Sequence, residues 1–189
     1  MIKAIIFDCF GVLATEAWLP FKTRHFGHNP DLYNQASQLS WHADVGEMTY
    51  QEFLKAVAAL AHITPEQANR EIARNVPNEP LFAYLDELKK HYKLGVLSNV
   101  VSGYMDNIFT PQQLARFDSI SKSYENGFRK PQAEAYEIIA KQLGVEPPEC
   151  VFVDDQERQV AGAREAGMQA LLYQDIEQLK RDLPKLLTA

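Results

Sequence analysis

Apolar residues gather in short runs that stop abruptly at polar ones. Ile5-Ile6-Phe7 ends at Asp8, Leu94-Gly95-Val96-Leu97 at Ser98-Asn99, and Val151-Phe152-Val153 at Asp154-Asp155. Runs of this length bounded by turn residues predict buried strands. Two more strands are expected near 117–121 and 169–173. Between strands the apolar period changes to three and four. Phe53, Val57 and Leu60 fall on one helical face, as do Leu81, Leu85 and Leu88 within a helix over 79–91. Thr49-Tyr50-Gln51-Glu52 and Thr64-Pro65-Glu66-Gln67 read as capping boxes that open helices, the second with proline at the first helical position. Further helices are expected near 132–143, where Pro131 suits the first turn, near 156–166, and over 176–187, where Pro184 interrupts the end. Strands alternating with helices predict an α/β fold with a doubly wound parallel sheet. The segment after Leu13 carries only helical signals.

In open α/β sheets ligands lie outside the carboxyl ends of the strands. That places Asp8 as a nucleophile or metal ligand; a plain edge strand and turn would also explain it. Ser98 and Asn99 can hold a phosphoryl oxygen or an oxyanion, or cap a helix. Lys130 precedes Pro131 and is therefore biased to extended geometry. Its ammonium can neutralise an anionic centre, or be solvated in a loop. Asp154 and Asp155 repel each other without a cation. Magnesium accepts one or two carboxylates plus waters and phosphate oxygens; an acidic helix cap is the alternative.

Taken together, Phe7-Asp8-Cys9-Phe10-Gly11-Val12-Leu13, Leu97-Ser98-Asn99, Arg129-Lys130-Pro131 and Val153-Asp154-Asp155 resemble the four motifs of the haloacid dehalogenase (HAD)-like hydrolase superfamily. Ala161-Gly162-Ala163-Arg164-Glu165-Ala166-Gly167-Met168 resembles the helix and turn after the fourth motif. The chain is similar to subfamily I, with a Rossmannoid core over 1–13 and 91–189 and a small all-helical cap over 14–90. The resemblance implies that Asp8 attacks phosphorus and forms an aspartyl-phosphate. It implies Mg2+ on Asp8, the Phe10 carbonyl and Asp155, with Asp154 behind them near Lys130. Ser98 and Lys130 would hold phosphoryl oxygens, and Asn99 would orient a small phosphorylated metabolite. Trp18, Phe21, Lys22, Arg24 and His25 are expected near the mouth of the site, with Trp41, His42 and Tyr50 as further contacts.

Two positions depart from the family's phosphatase pattern. Phe10 stands where most members carry the Asp that protonates the leaving oxygen. Gln159 stands where Asp or Asn is usual. The leading expectation is a magnesium-dependent phosphatase that is slow or takes a substrate with a good leaving group. Dehalogenation, phosphonate cleavage with Lys22 or Lys55 as a Schiff base, and a catalytically silent phospholigand-binding protein are the alternatives.

The 189 residues allow one core domain with a modest insert, and 46% apolar content is ordinary for a globular chain. A net charge of −6 argues against nucleic acid as a partner. No apolar stretch reaches membrane-spanning length. Met1-Ile2-Lys3-Ala4 leads straight into the first strand, so no signal peptide and a cytoplasmic location are expected. Cys9 and Cys150 are expected as free thiols. A monomer or homodimer is expected.

Overall fold

A computed structural model describes residues 1–105 and 108–187. Its sheet contains β1 (Ala4–Phe7), β2 (Lys93–Ser98), β3 (Ser119–Lys122), β4 (Cys150–Asp154) and β5 (Gln169–Leu172). All pairings are parallel, in the order β3-β2-β1-β4-β5. β1 and β4 are buried at every position. Burial on both faces explains why they read as continuous apolar runs. Ile5, Phe7, Val151 and Val153 face one side, and Ala4, Ile6, Cys150 and Phe152 the other.

The chain runs outward from β1 to β2 and β3, then returns to β4 and β5 on the opposite side. That reversal opens a crevice at the carboxyl ends of β1 and β4. Phe7 pairs with Val153 on one side and Val96 on the other. Asp8 therefore stands level with Asp154, with Ser98 one residue further along its own strand.

Helices α1 (Trp18–Phe26), α2 (Pro30–Asp44), α3 (Tyr50–Leu60) and α4 (Pro65–Ile72) follow β1. They enclose their own apolar cluster, with Phe21, Phe26, Leu54, Val57 and Ala58 at its centre. Both expected capping boxes are formed, at Thr49 and Thr64. Next come α5 (Glu79–Leu88), the short α6 (Pro111–Leu114) and α7 (Ser123–Asn126), then α8 (Ala133–Leu143), α9 (Glu157–Glu165) and α10 (Ile176–Leu187). α8 and α9 cover one face of the sheet. α5 and α10 cover the other.

Several expectations are revised by packing. α5 lies within the segment expected as cap, yet Leu81, Phe82, Leu85 and Leu88 join the sheet's apolar cluster. Pro131 precedes α8 instead of entering its first turn, and Gln132 is the N-cap. α10 continues through Pro184 to Leu187, with Leu179 and Leu183 buried beneath it. Cys9 and Cys150 are free thiols and join the clusters on opposite faces of the sheet.

Candidate active site

The turn after β1 is built to bring backbone against carboxylate. Gly11 N–H donates to Ala14 O at 2.7 Å, and Ala14 N–H donates to Cys9 O at 2.9 Å. Gly11 has φ +93°, and a Cβ there would overlap the Asp155 carboxylate. Glycine meets both demands, since it tolerates positive φ and fills no space.

Asp8 follows β1 and is buried. Its Oδ1 accepts the Cys9 N–H at 2.7 Å and lies 2.5 Å from Lys130 Nζ. The same ammonium lies 2.7 Å from Asp154 Oδ2, so Lys130 bridges the two acids. Asp154 Oδ1 accepts the Gln156 N–H at 2.9 Å. Asn99 fixes Lys130 from the other side. Its Nδ2 donates to Lys130 O at 3.0 Å, and its Oδ1 accepts Lys130 N–H at 2.8 Å. The Asn99 amide is thus engaged by main chain, where the family resemblance implies contact with substrate.

Asp8, Asp154 and Asp155 each offer a carboxylate oxygen, all within 4.8 Å of one another. Burial, followed by the charge of Asp154, lifts the Asp155 carboxyl to about 6. Burial likewise raises Asp8, against the opposing charge of Lys130. For Lys130 burial opposes the charge, but Asp154 and Asp8 outweigh it and hold the ammonium above the ordinary lysine value. One ammonium faces three carboxylates, and Asp155 Oδ1 is buried without a hydrogen-bond partner. An excess of close, desolvated oxygen donors suits a hard divalent cation. Ser98 Oγ is also buried with no oxygen or nitrogen partner, a donor left for an incoming anion.

A cavity of about 720 Å³ opens above Asp8, between the sheet's carboxyl edge and α1–α4. Trp18, Lys22, Trp41 and Tyr50 line it, as do Phe10, Asn99, Lys130 and Gln159. Phe21, Arg24, His25 and His42 do not. Arg24 and His25 pair with Glu71 instead, and His42 with Glu47. Lys22 Nζ donates to Ser37 Oγ at 3.1 Å and sits 4.2 Å from the Tyr33 ring centroid. Lys55 is exposed on α3 and outside the cavity. Phe10 packs on Tyr104, 5.5 Å between ring centroids.

Sequence reasoning missed four features of this cavity. Asn34, Ser37 and Gln38 of α2 line it beside the expected Trp41 at helical spacing, a periodicity that could have been read as a polar face. Tyr104 reaches across to Ile72 O at 2.7 Å. Glu16 lines the wall beside Phe10. Arg129 pairs with Asp44 at 3.1 Å, joining the end of α2 to the residue before Lys130. The last pair joins two segments distant in sequence and leaves no local signal.

A family model for haloacid dehalogenase-like hydrolases matches residues 2–167. The chain belongs to that family. It is 42% identical to flavin mononucleotide hydrolase 1 of Arabidopsis thaliana, over 32% of this chain and 24% of that protein. It is 30% identical to the glyceraldehyde 3-phosphate phosphatase of Methanothermobacter thermautotrophicus, over 66% of this chain and 56% of that protein. The chain therefore spans about a quarter and just over half of these two relatives. Among solved structures, a HAD family enzyme of Bacteroides thetaiotaomicron in complex with magnesium and inorganic phosphate superposes with a TM-score of 0.76. The match is 22% identical and covers 95% of this chain and 99% of that one. It establishes a shared fold. Among the described residues, no helix is long and apolar enough to cross a membrane.

Proposed function

We propose that this protein is a magnesium-dependent phosphatase of small phosphorylated metabolites that works through an aspartyl-phosphate on Asp8. The carrying observation is Lys130, buried and placed between Asp8 and Asp154, with the buried Ser98 hydroxyl and the unpartnered Oδ1 of Asp155. Phosphatase-named relatives and a magnesium- and phosphate-bound structural neighbour support the same reading.

Asp8 and Asp155, with the Phe10 carbonyl, would hold the metal, and Asp154 would stand outside its ligands. Bound magnesium supplies positive charge that lets an anionic ester approach a carboxylate. Asp8 attacks phosphorus in line with the departing oxygen. Lys130 and the Ser98 hydroxyl hold the non-bridging oxygens and offset their charge in a desolvated site. Asn99 keeps Lys130 in register by gripping its main chain. Asp154 fixes the ammonium from behind. Gln159 stands at the cavity floor with its Oε1 unpartnered. α1–α4, residues 18–72, form the cap that shapes the leaving-group side; the helix over 79–88 is assigned to the core. Trp18 and Lys22 are its substrate-facing residues nearest the first motif. Lys22 is tied to Ser37, which speaks against a free Schiff-base amine.

Phosphate release from a panel of metabolites with magnesium tests the reading. Asp8→Asn should abolish it, because an amide is a poor nucleophile. Asp155→Ala should strongly weaken magnesium binding by calorimetry. Activity that survives Asp8→Asn, or unchanged metal affinity in Asp155→Ala, would remove the corresponding assignment. A catalytically silent protein would bind phosphorylated ligands without release.

A further inference from the structure

Phenylalanine at position 10 leaves no ionisable group two residues after the nucleophile, and the turn that follows bears on this gap. Phe10 and Ala14 form an isolated bridge, and Ala14 bridges onward to Pro77. The chain is thereby folded back on the nucleophile loop. Two residues beyond Ala14, Glu16 enters the wall of the cavity that Asp8 and Phe10 also line. Its carboxyl is fixed there: Oε1 accepts the N–H groups of Trp18 at 2.5 Å and Leu19 at 3.2 Å. Capping α1 alone would be served by a shorter Ser, Thr, Asp or Asn. A longer acid facing the cavity reaches further.

We infer that Glu16 is the general acid and base of this site, supplying from the second turn of the loop what Phe10 lacks. This rests on the phosphatase reading. In the first step the bond from phosphorus to the leaving oxygen breaks as the Asp8–phosphorus bond forms. The Glu16 carboxylic acid gives its proton to that oxygen, and an alcohol departs. In the second step the Glu16 carboxylate takes a proton from water while the water oxygen attacks phosphorus. Inorganic phosphate leaves, Asp8 is released as carboxylate, and Glu16 is again protonated. The surroundings favour this cycle. Burial, opposed by the N–H groups of Leu19, Trp18 and Ala17 and by Lys22, holds the Glu16 carboxyl above the ordinary glutamate value. The charge of Glu16 in turn helps to raise the carboxyls of Asp44 and Asp155.

The test compares alkyl phosphates, whose leaving oxygen needs a proton, with 4-nitrophenyl phosphate, whose leaving group does not. Both are run at saturating magnesium with wild type, Asp8→Asn and Glu16→Gln. Glu16→Gln should lower kcat/KM for alkyl phosphates by roughly 10²–10⁴. With 4-nitrophenyl phosphate it should release one equivalent of nitrophenolate in a burst and then stall, because the phosphorylated Asp8 has lost its base. Glu16→Gln/Phe10→Asp should recover alkyl phosphate turnover. A uniform loss on both substrates, without a burst, would mean that Glu16 only holds α1 and would overturn the inference. Glu16→Gln with wild-type turnover of alkyl phosphates would overturn it equally. If wild type shows no release that Asp8→Asn lacks, the phosphatase reading fails first, and this inference falls with it.

Discussion

Gly11 lies directly against the carboxylate of Asp155, so closely that a Cβ on Gly11 would occupy the carboxylate's own position. The motif on β1 and the motif on β4 therefore touch through a residue that has no side chain. Gly11→Ala must displace Asp155 and also strain a backbone at φ +93°. We expect a loss of more than about 1 kcal/mol in stability. Divalent metal affinity should fall by about 10-fold or more, as when a metal ligand's support is disturbed. Urea unfolding and calorimetry check the two effects; an unchanged metal affinity would show that Asp155 is free to move.

Lys130 is the ammonium between Asp8 and Asp154, and its side chain is only 2% exposed. Lys130→Met keeps the volume and leaves two buried acids without their cation. Removing one partner of a buried charge cluster typically costs about 3–5 kcal/mol. Chemical denaturation without metal should show a loss of this order. A loss below about 1 kcal/mol would mean that the acids are neutral in the metal-free protein.

Asp44 gives a pH signature separate from the metal site. Burial lifts its carboxyl to about 6, even though Arg129 and Ser40 pull it down. A carboxyl raised in the folded state binds its proton more tightly there than in the unfolded chain. Its contribution is therefore most favourable below about pH 4 and is lost as the pH rises through 6. Across that window the change in stability is on the order of 3 kcal/mol. Asp44→Asn does not titrate. Plotted against pH, wild-type stability minus that of Asp44→Asn should fall between about pH 4 and 7; a flat difference contradicts the assignment.

Thr49 tests the insert without touching the site. Its side chain accepts the Glu52 N–H at 3.3 Å, and Glu52 Oε2 accepts the Thr49 N–H at 2.9 Å. Thr49→Ala should destabilise the protein by about 1 kcal/mol. Turnover measured well below the melting temperature should stay within about twofold, since surface cap losses act on the fold alone.

The parts of this molecule that were legible in the sequence are those with a local signal. β1 and β4 are continuous apolar runs ending in acids, and the register Phe7–Val153 then sets Asp8 beside Asp154 without further information. The boxes at Thr49 and Thr64 are written within four residues. The placement of α5 was not legible, because an amphipathic helix does not state which surface it will cover. Nor were the partners of Asn99 and Arg129, which come from distant segments. The place of Glu16 in the cavity wall depends on a backbone turn between Phe10 and Ala14 that spacing alone does not reveal.

The Asp44–Arg129 pair couples entry and charge. Arg129 is bonded covalently to Lys130, so α2 is anchored one peptide unit from the ammonium that faces Asp8. Any outward swing of α2 must either break the ion pair or tug the strut that carries Lys130. The α2 wall of the cavity and the segment that carries its buried ammonium are thus fastened to each other by a single ion pair.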